Sequence, residues 1–284
     1  YIFNTVEDVP IALDGVHAFG LVENYGNVTI HRASTSVYAG GTGRRSPTAG
    51  SWNMSSSMTE DMAFRFYKCT VSEGGDDGPI SYYDFEVSSI TTDSVGTNAL
   101  TNNNSVVTSS DSKKNAASAD FEASSSQSLT IADASLSVGF PCKADDTGKT
   151  FTIVCWFKAE SFNGTNTMIS KYGHTTGDRA FHLSVRGADP YVLKAQLGFN
   201  SGTEGELKEH ASSLSVDTWY FAALSYDNTD KTWAIRLRDT DGAKIGSDAT
   251  GTATLDANKL SATDAAFSIG ALDSDQFFDG LIDG

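Results

Sequence analysis

The sequence predicts an all-β fold, an antiparallel two-layer sandwich, on three observations. No window of more than ten residues carries helical periodicity. Alternation with period two recurs along the chain, the signal of strands lying on a sheet. Ser, Thr, Asn, Asp and Gly are abundant, and these types disfavour helix interiors while favouring turns and solvated strand faces.

The strand pattern is clearest in the second half. In Phe151-Thr-Ile-Val-Cys-Trp-Phe-Lys158, residues Phe151, Ile153, Cys155 and Phe157 share one face, and Thr152, Val154, Trp156 and Lys158 share the other. Both faces are partly apolar, as in a strand of a two-layer sandwich. Trp219 to Tyr226 is likewise apolar on both faces, whereas Trp233, Ile235 and Leu237 alternate with Ala234, Arg236 and Arg238. Between these two strands, Asp227-Asn228-Thr229-Asp230 is hairpin chemistry, and Asp241-Gly242 marks a second tight turn. Trp156, Trp219 and Trp233 read as core residues.

A break falls at residues 72–79, Ser-Glu-Gly-Gly-Asp-Asp-Gly-Pro, which reads as a linker. It divides the chain into a small β-rich module (1–79, linker included) and a larger domain (80–284). The small module has candidate strands at 28–31 and 63–67 and a flexible Gly-rich stretch at 40–47.

The 284 residues suffice for one large or two ordinary domains, and 39% hydrophobic with 20% charged residues is a globular composition. A net charge of −16 repels phosphate backbones and anionic bilayers, which argues against a nucleic-acid partner. Such a charge suits solubility, calcium, or a salty medium. Cys69, Cys142 and Cys155 lie far apart with no CxxC pair, which excludes a zinc cluster and a disulfide framework. Cys155 reads as a small buried hydrophobe. No apolar run is long enough for a transmembrane helix. The start, Tyr1-Ile2-Phe3-Asn4, has neither initiator Met nor leader pattern, so the chain reads as an excerpt of a longer protein.

From Tyr82 onward the motifs follow a known order. Tyr82-Tyr-Asp-Phe-Glu86 is followed by Asp93-Ser-Val-Gly-Thr-Asn-Ala-Leu-Thr101. Next come Asn115-Ala-Ala-Ser-Ala-Asp-Phe-Glu122 and Ser128-Leu-Thr-Ile-Ala-Asp133. The strand 151–158 and Thr167-Met-Ile-Ser-Lys171 precede Trp219-Tyr-Phe-Ala-Ala-Leu-Ser-Tyr226. The chain closes with Phe267-Ser-Ile-Gly270 and Phe277-Phe-Asp-Gly-Leu-Ile-Asp283. This succession resembles the laminin-G-like, concanavalin A-like lectin and glucanase superfamily, of the kind found in bacteriophage tail-fibre, appendage or decoration proteins. The resemblance implies a concanavalin-like two-sheet antiparallel jelly-roll sandwich preceded by a small β-rich module. In the family the closing motif runs on into a further strand. Here the chain stops at Gly284, so that strand is expected to be absent or supplied by another segment.

Glycosidases of this fold carry two carboxylates across a sugar cleft, and the glucanase branch places them on one strand as E-x-D-x-(x)-E. That pattern is missing. Glu204-Gly205-Glu206 and Glu209 form the nearest cluster and read as a solvated acidic loop. No nucleophile elbow, P-loop or HExxH motif occurs, so the expectation is a protein that is not an enzyme. The histidines are scattered. His174 and His182 share a sheet neighbourhood, where an ordinary surface or core role is the simpler reading.

The resemblance implies one structural calcium ion joining the first and last strands, with Asp84 and Asp283 as carboxylates and Gly96 as carbonyl donor. The plainer alternative is that Asp283 ends a strand in water. For glycan binding, a stacking ring and nearby amide or carboxylate groups are needed, and the candidates are Asn163, Tyr172, His174, Tyr191, Asn200 and Glu204, each also an ordinary surface or core residue. The expected role is a non-catalytic structural or adhesive protein on a virion, or an extracellular or bacterial cell surface. Its N-terminal module would attach it to neighbouring structural proteins, as a homo-oligomer, while the jelly roll presents a face to host glycan or a neighbouring protein. The alternative is a secreted protein that binds or degrades polysaccharide.

Overall fold

The computed structural model describes residues 19–24, 27–32, 79–147, 150–162, 164, 166–255 and 260–284. The segments 40–47, 63–67 and 72–78 lie outside the described residues. Two compact units divide the chain, 1–78 and 79–284. In the first, β1 (Phe19–Asn24) pairs antiparallel with β2 (Asn27–Arg32), Phe19 opposite Arg32.

The second unit is an all-β jelly roll of two seven-stranded antiparallel sheets. Its strands in chain order are β3 (Thr101–Asn103), β4 (Val107–Ser109), β5 (Ser118–Phe121), β6 (Ser128–Ile131) and β7 (Phe151–Ala159), then β8 (Asn166–Tyr172), β9 (Arg179–Val185), β10 (Val192–Phe199), β11 (Glu204–Ser213) and β12 (Trp219–Asp227). There follow β13 (Thr232–Arg238), β14 (Ala249–Thr252), β15 (Phe267–Ile269) and β16 (Gly280–Asp283). One sheet runs β11-β10-β9-β8-β15-β6-β3 and the other β14-β13-β12-β7-β16-β5-β4.

Period-two patterning decides what enters the core. Phe151, Cys155 and Phe157 of β7, Tyr220, Leu224 and Tyr226 of β12, and Ile235 and Leu237 of β13 face Phe181, Leu183 and Val185 of β9 and Leu193, Leu197 and Phe199 of β10 across one continuous cluster. Each such side chain contributes roughly 1.5–3 kcal/mol when fully buried. Burial pushes the Cys155 thiol up to about 12, which makes it inert. The turn expected at 227–230 joins β12 to β13, with Asp227 opposite Thr232.

Of the three tryptophans read as core, Trp156 and Trp233 need correction. Trp219 is buried, with Nε1 donating to Asp111 Oδ1 at 2.8 Å. Trp156 is half-buried on the outer face of its sheet, edge-on to Phe221 at 5.4 Å, because the pleat that sends Phe157 inward sends its neighbour outward. Trp233 sits at the sandwich edge, only partly buried.

The acidic cluster at 204–209 is also not a loop. It belongs to the edge strand β11, with Glu204 opposite Phe199 and Glu206 opposite Leu197. Glu206 is buried, ion-paired to Lys208 at 2.5 Å and accepting from Thr254 Oγ1 at 2.8 Å and from the Leu255 N–H. The Lys208 ammonium lies 5.1 Å from the Trp233 ring centre. These polar groups close the sandwich along β11.

Candidate functional site

The site grows from the outward positions of β8, β9 and β10. Residues between Phe181, Leu183 and Val185 must point away from the core, which sets His182 and Ser184 on the outer face. Register aligns Ser170 and Gln196 beside His182, and Thr167 and Lys194 beside Ser184. The segment after β15 then folds over this face. The Ala271 carbonyl accepts from Ser170 Oγ at 2.7 Å, and the Gln276 carbonyl accepts from the Thr167 N–H at 3.1 Å. Between this segment and the sheet lies a cleft of about 250 Å³, floored by Tyr172, His182, Lys194 and Gln196. His174, Arg179, Leu272 and Gln276 form its rim.

His182 is 1% exposed. Its Nε2 lies 3.2 Å from Gln196 Oε1, and its ring packs 4.9 Å from that of Tyr172. Burial, then the charge of Lys194, pushes its pKa down to about 3, so the ring is neutral at pH 7. With the proton on Nε2 facing the amide oxygen, Nδ1 is a bare acceptor. It is buried with no hydrogen-bond partner, as are Ser184 Oγ and Thr167 Oγ1 on the same face and Arg179 Nε at the rim. Two of these atoms, His182 Nδ1 and Arg179 Nε, belong to residues that line the cleft, whereas Ser184 and Thr167 lie beside it.

A pH dependence follows. The unfolded chain takes up the His182 proton near pH 6.5 and the folded chain only near 3. This contribution to stability is fully present above pH 6.5 and is lost as pH falls toward 3. The urea midpoint is expected to fall between pH 7 and 4 by more in the wild type than in His182→Gln. Equal losses would remove the assignment.

The expected glycan residues are only partly brought together. Tyr172 and His174 line the cleft; His174 Nε2 stands 3.8 Å from Asp275 Oδ2 at the solvent edge. Tyr191 instead stacks on Phe162 at 4.5 Å. Asn200 Nδ2 donates to Glu204 Oε1 at 3.4 Å in the β10–β11 turn, away from the lining. Asn163 lies outside the described residues. Nor is Tyr172 an open stacking platform. It is only 6% exposed, with His182 on its ring and the Arg179 guanidinium 6.0 Å from its centre. What the cleft offers instead are hydrogen-bonding groups. Arg179, Lys194, Gln196 and Gln276 escaped the sequence reading, although Arg179, Lys194 and Gln196 interrupt apolar strand patterns at outward positions.

A larger hollow of about 590 Å³ lies over β12, β13 and β14. Of its aromatics, Phe151 and Tyr226 are buried in the core, and Trp233 has the Lys208 ammonium on its ring and Gly251 against it, where a Cβ would stand 3.1 Å away. Arg236 there is engaged by Ser225 Oγ at 3.2 Å and by Asp248 at 3.8 Å.

The residues expected to hold calcium gather around Tyr82. Burial, then the charges of Asp283, Asp84 and Glu86, push its phenol up. Their oxygens, however, are committed to protein donors. Asp283 Oδ2 accepts from the Lys113 and Lys114 N–H groups, both at 2.6 Å, and Oδ1 from the Gly284 N–H at 2.8 Å. Asp84 accepts from Ser89 Oγ at 2.7 Å and Ser94 Oγ at 3.0 Å. Gly96 serves close approach: a Cβ there would stand 2.4 Å from the Ile80 carbonyl oxygen and 2.6 Å from Asp93 Oδ2. Asp93 in turn accepts from the backbone N–H groups of Tyr82, Gly96 and Asn98. Backbone amides on Asp283 and the Ser89 and Ser94 hydroxyls on Asp84 take up oxygens that a cation would need. The arrangement does not fit calcium. The melting temperature is expected to be the same in millimolar calcium and in excess EDTA. An upward shift with calcium would contradict this account.

A family model described as the concanavalin A-like lectin/glucanases superfamily matches residues 124–284, more than half of the chain, and the chain belongs to that superfamily. No curated protein sequence matches it. Similar solved structures include domain 4 of AbnA, a GH43 extracellular arabinanase from Geobacillus stearothermophilus, in complex with arabinotriose: 18% identity over 72% of this chain and 88% of that one, TM-score 0.48. Another is the CBM40 of Ruminococcus gnavus IT-sialidase bound to α2,3-sialyllactose, at 21% identity over 47% and 72%, TM-score 0.37. A third is full-length tailspike protein 2 of an Escherichia coli O157:H7 bacteriophage, at 12% identity over 65% and 24%, TM-score 0.45. No helix among the described residues is long and apolar enough to cross a membrane.

Proposed function

We propose that this chain is a non-catalytic module of a virion or cell-surface structural protein, and that its jelly roll binds glycan in the β8–β10 cleft. One observation carries the reading. A fully buried, neutral His182 presents an unpartnered Nδ1 beside a cleft whose other groups are mainly hydrogen-bond donors. Membership of a superfamily of lectins and glucanases supports it. The lining includes no Asp or Glu, whereas glycoside hydrolysis in most families uses two carboxylates across the bond, which favours binding over cleavage. Residues 1–79 would supply attachment to neighbouring structural proteins, in an oligomer exposed outside the cell.

The test is a glycan array probed with the full chain. Retention of a defined set of oligosaccharides without cleavage is expected. Uniform absence of binding would replace the adhesive role by a purely architectural one, and release of shortened products would favour a polysaccharide-degrading protein.

A further inference from the structure

We infer that the sugar held in the β8–β10 cleft is acidic, with its anionic group between Lys194 and Arg179 and a neighbouring hydroxyl donating to Nδ1 of His182. This rests on the glycan-binding reading and narrows it to a class of sugar.

The chain as a whole carries a net charge of −16, yet the formal charges lining this cleft, Arg179 and Lys194, are both positive. Lys194 is half-buried, and its ammonium makes no hydrogen bond or ion pair among the described residues. Its cross-strand neighbour Glu209 is taken by Arg186, at 3.3 Å. Burial favours the neutral amine, and the charge of Glu209, shared with Arg186, offsets this only in part. Arg179 gives Nη1 to the Thr203 carbonyl at 3.2 Å, which fixes the guanidinium over Tyr172 and leaves Nε–H buried and unpaired. An anionic group between the two cations completes both through charge-assisted hydrogen bonds. The acid at the rim, Asp275, has a side chain 72% exposed and lies beside His174, where water screens it.

The bare acceptor of His182 then asks for an O–H donor, which a sugar ring supplies next to its acid group. A simple inorganic anion would leave that nitrogen unpaired. The amides of Gln196 and Gln276 remain for further hydroxyls. A neutral sugar satisfies His182 but leaves Lys194 without a partner.

The experiment uses the full chain on an array of matched pairs: sialylated, uronate-containing and sulfated oligosaccharides, each beside its desialylated, methyl-esterified or desulfated parent. The acidic member of at least one pair is expected to bind about tenfold or more tightly than its parent, by an advantage that shrinks with added salt. Lys194→Met is expected to erase that preference and Lys194→Arg to keep most of it. Which pairs respond distinguishes carboxylate from sulfate. Equal binding within every pair overturns this inference and leaves the glycan-binding reading intact. Binding to no member of any pair overturns both. A preference that survives in a folded Lys194→Met variant overturns the assignment to this cleft.

Discussion

Lys171→Ala is expected to lower the unfolding free energy by about 3–5 kcal/mol, the cost typical of breaking a buried ion pair. Lys171 is wholly buried on the inward side of β8, opposite Phe181. Its ammonium donates to Asp133 Oδ1 at 2.8 Å and to the Thr263 and Ala265 carbonyls, both at 2.7 Å, so its three hydrogens are all placed. Alanine would leave a buried carboxylate and two carbonyls without their donor and open a cavity besides. Replacing both partners by apolar residues, as in Lys171→Met with Asp133→Leu, is expected to recover much of the loss because no unpaired charge remains. Urea unfolding of the wild type and the two variants measures this. A loss below about 1 kcal/mol in Lys171→Ala would mean that the pair is not closed to water.

Gln196→Ala is expected to weaken glycan binding by about tenfold or more while costing only about 1–2 kcal/mol of stability. Gln196 holds the tautomer of His182 through Oε1, and its amide lies against Tyr172 and the backbone of Gly205, where a Cβ would stand 2.6 Å from Nε2 and 2.9 Å from the tyrosine oxygen. One substitution thus removes a donor to the sugar and frees the ring whose acceptor the sugar needs. Trp156→Ala, on the outer face of the other sheet, is the control and is expected to leave affinity unchanged. Isothermal titration with an oligosaccharide retained on the array separates the two. Equal loss in both variants would mean that the effect travels through stability.

The sheets were largely legible because their signal is local. Period-two alternation in 151–158 and 219–226 marks β7 and β12, and the motif succession orders the jelly roll. What alternation leaves open is which apolar face turns inward. Trp156 and Phe157 are equally hydrophobic in the sequence, and only the pairing of β7 with β12 decides between them. The acidic run 204–209 looked like a loop because Gly205 interrupts it, yet as an edge strand it needs only one neighbour, and Glu206 draws Lys208 to itself.

The cleft was legible in fragments. Tyr172 and His174 stood out because aromatic and imidazole groups attract attention near polar segments. Arg179, Lys194 and Gln196 raised no expectation, since a polar residue between core residues ordinarily faces water. Residues 271–278, distant in sequence, make the difference by folding over β8 and turning part of an exposed sheet face into a lined pocket. The calcium expectation came from the family resemblance, carried onto Asp84, Gly96 and Asp283. The backbone amides of 113 and 114, which occupy Asp283, carry no side-chain signature.

The central claim is that glycan binds on the outer face of β8, β9 and β10. Hydrogen–deuterium exchange of the full chain, with and without a saturating oligosaccharide retained on the array, tests it most directly. Added protection is expected in 170–182, 194–196 and 271–277, with none in 152–156 or 221–225. Protection confined to the latter segments, around Trp156 and Phe221, would place the sugar on the opposite sheet and contradict the account.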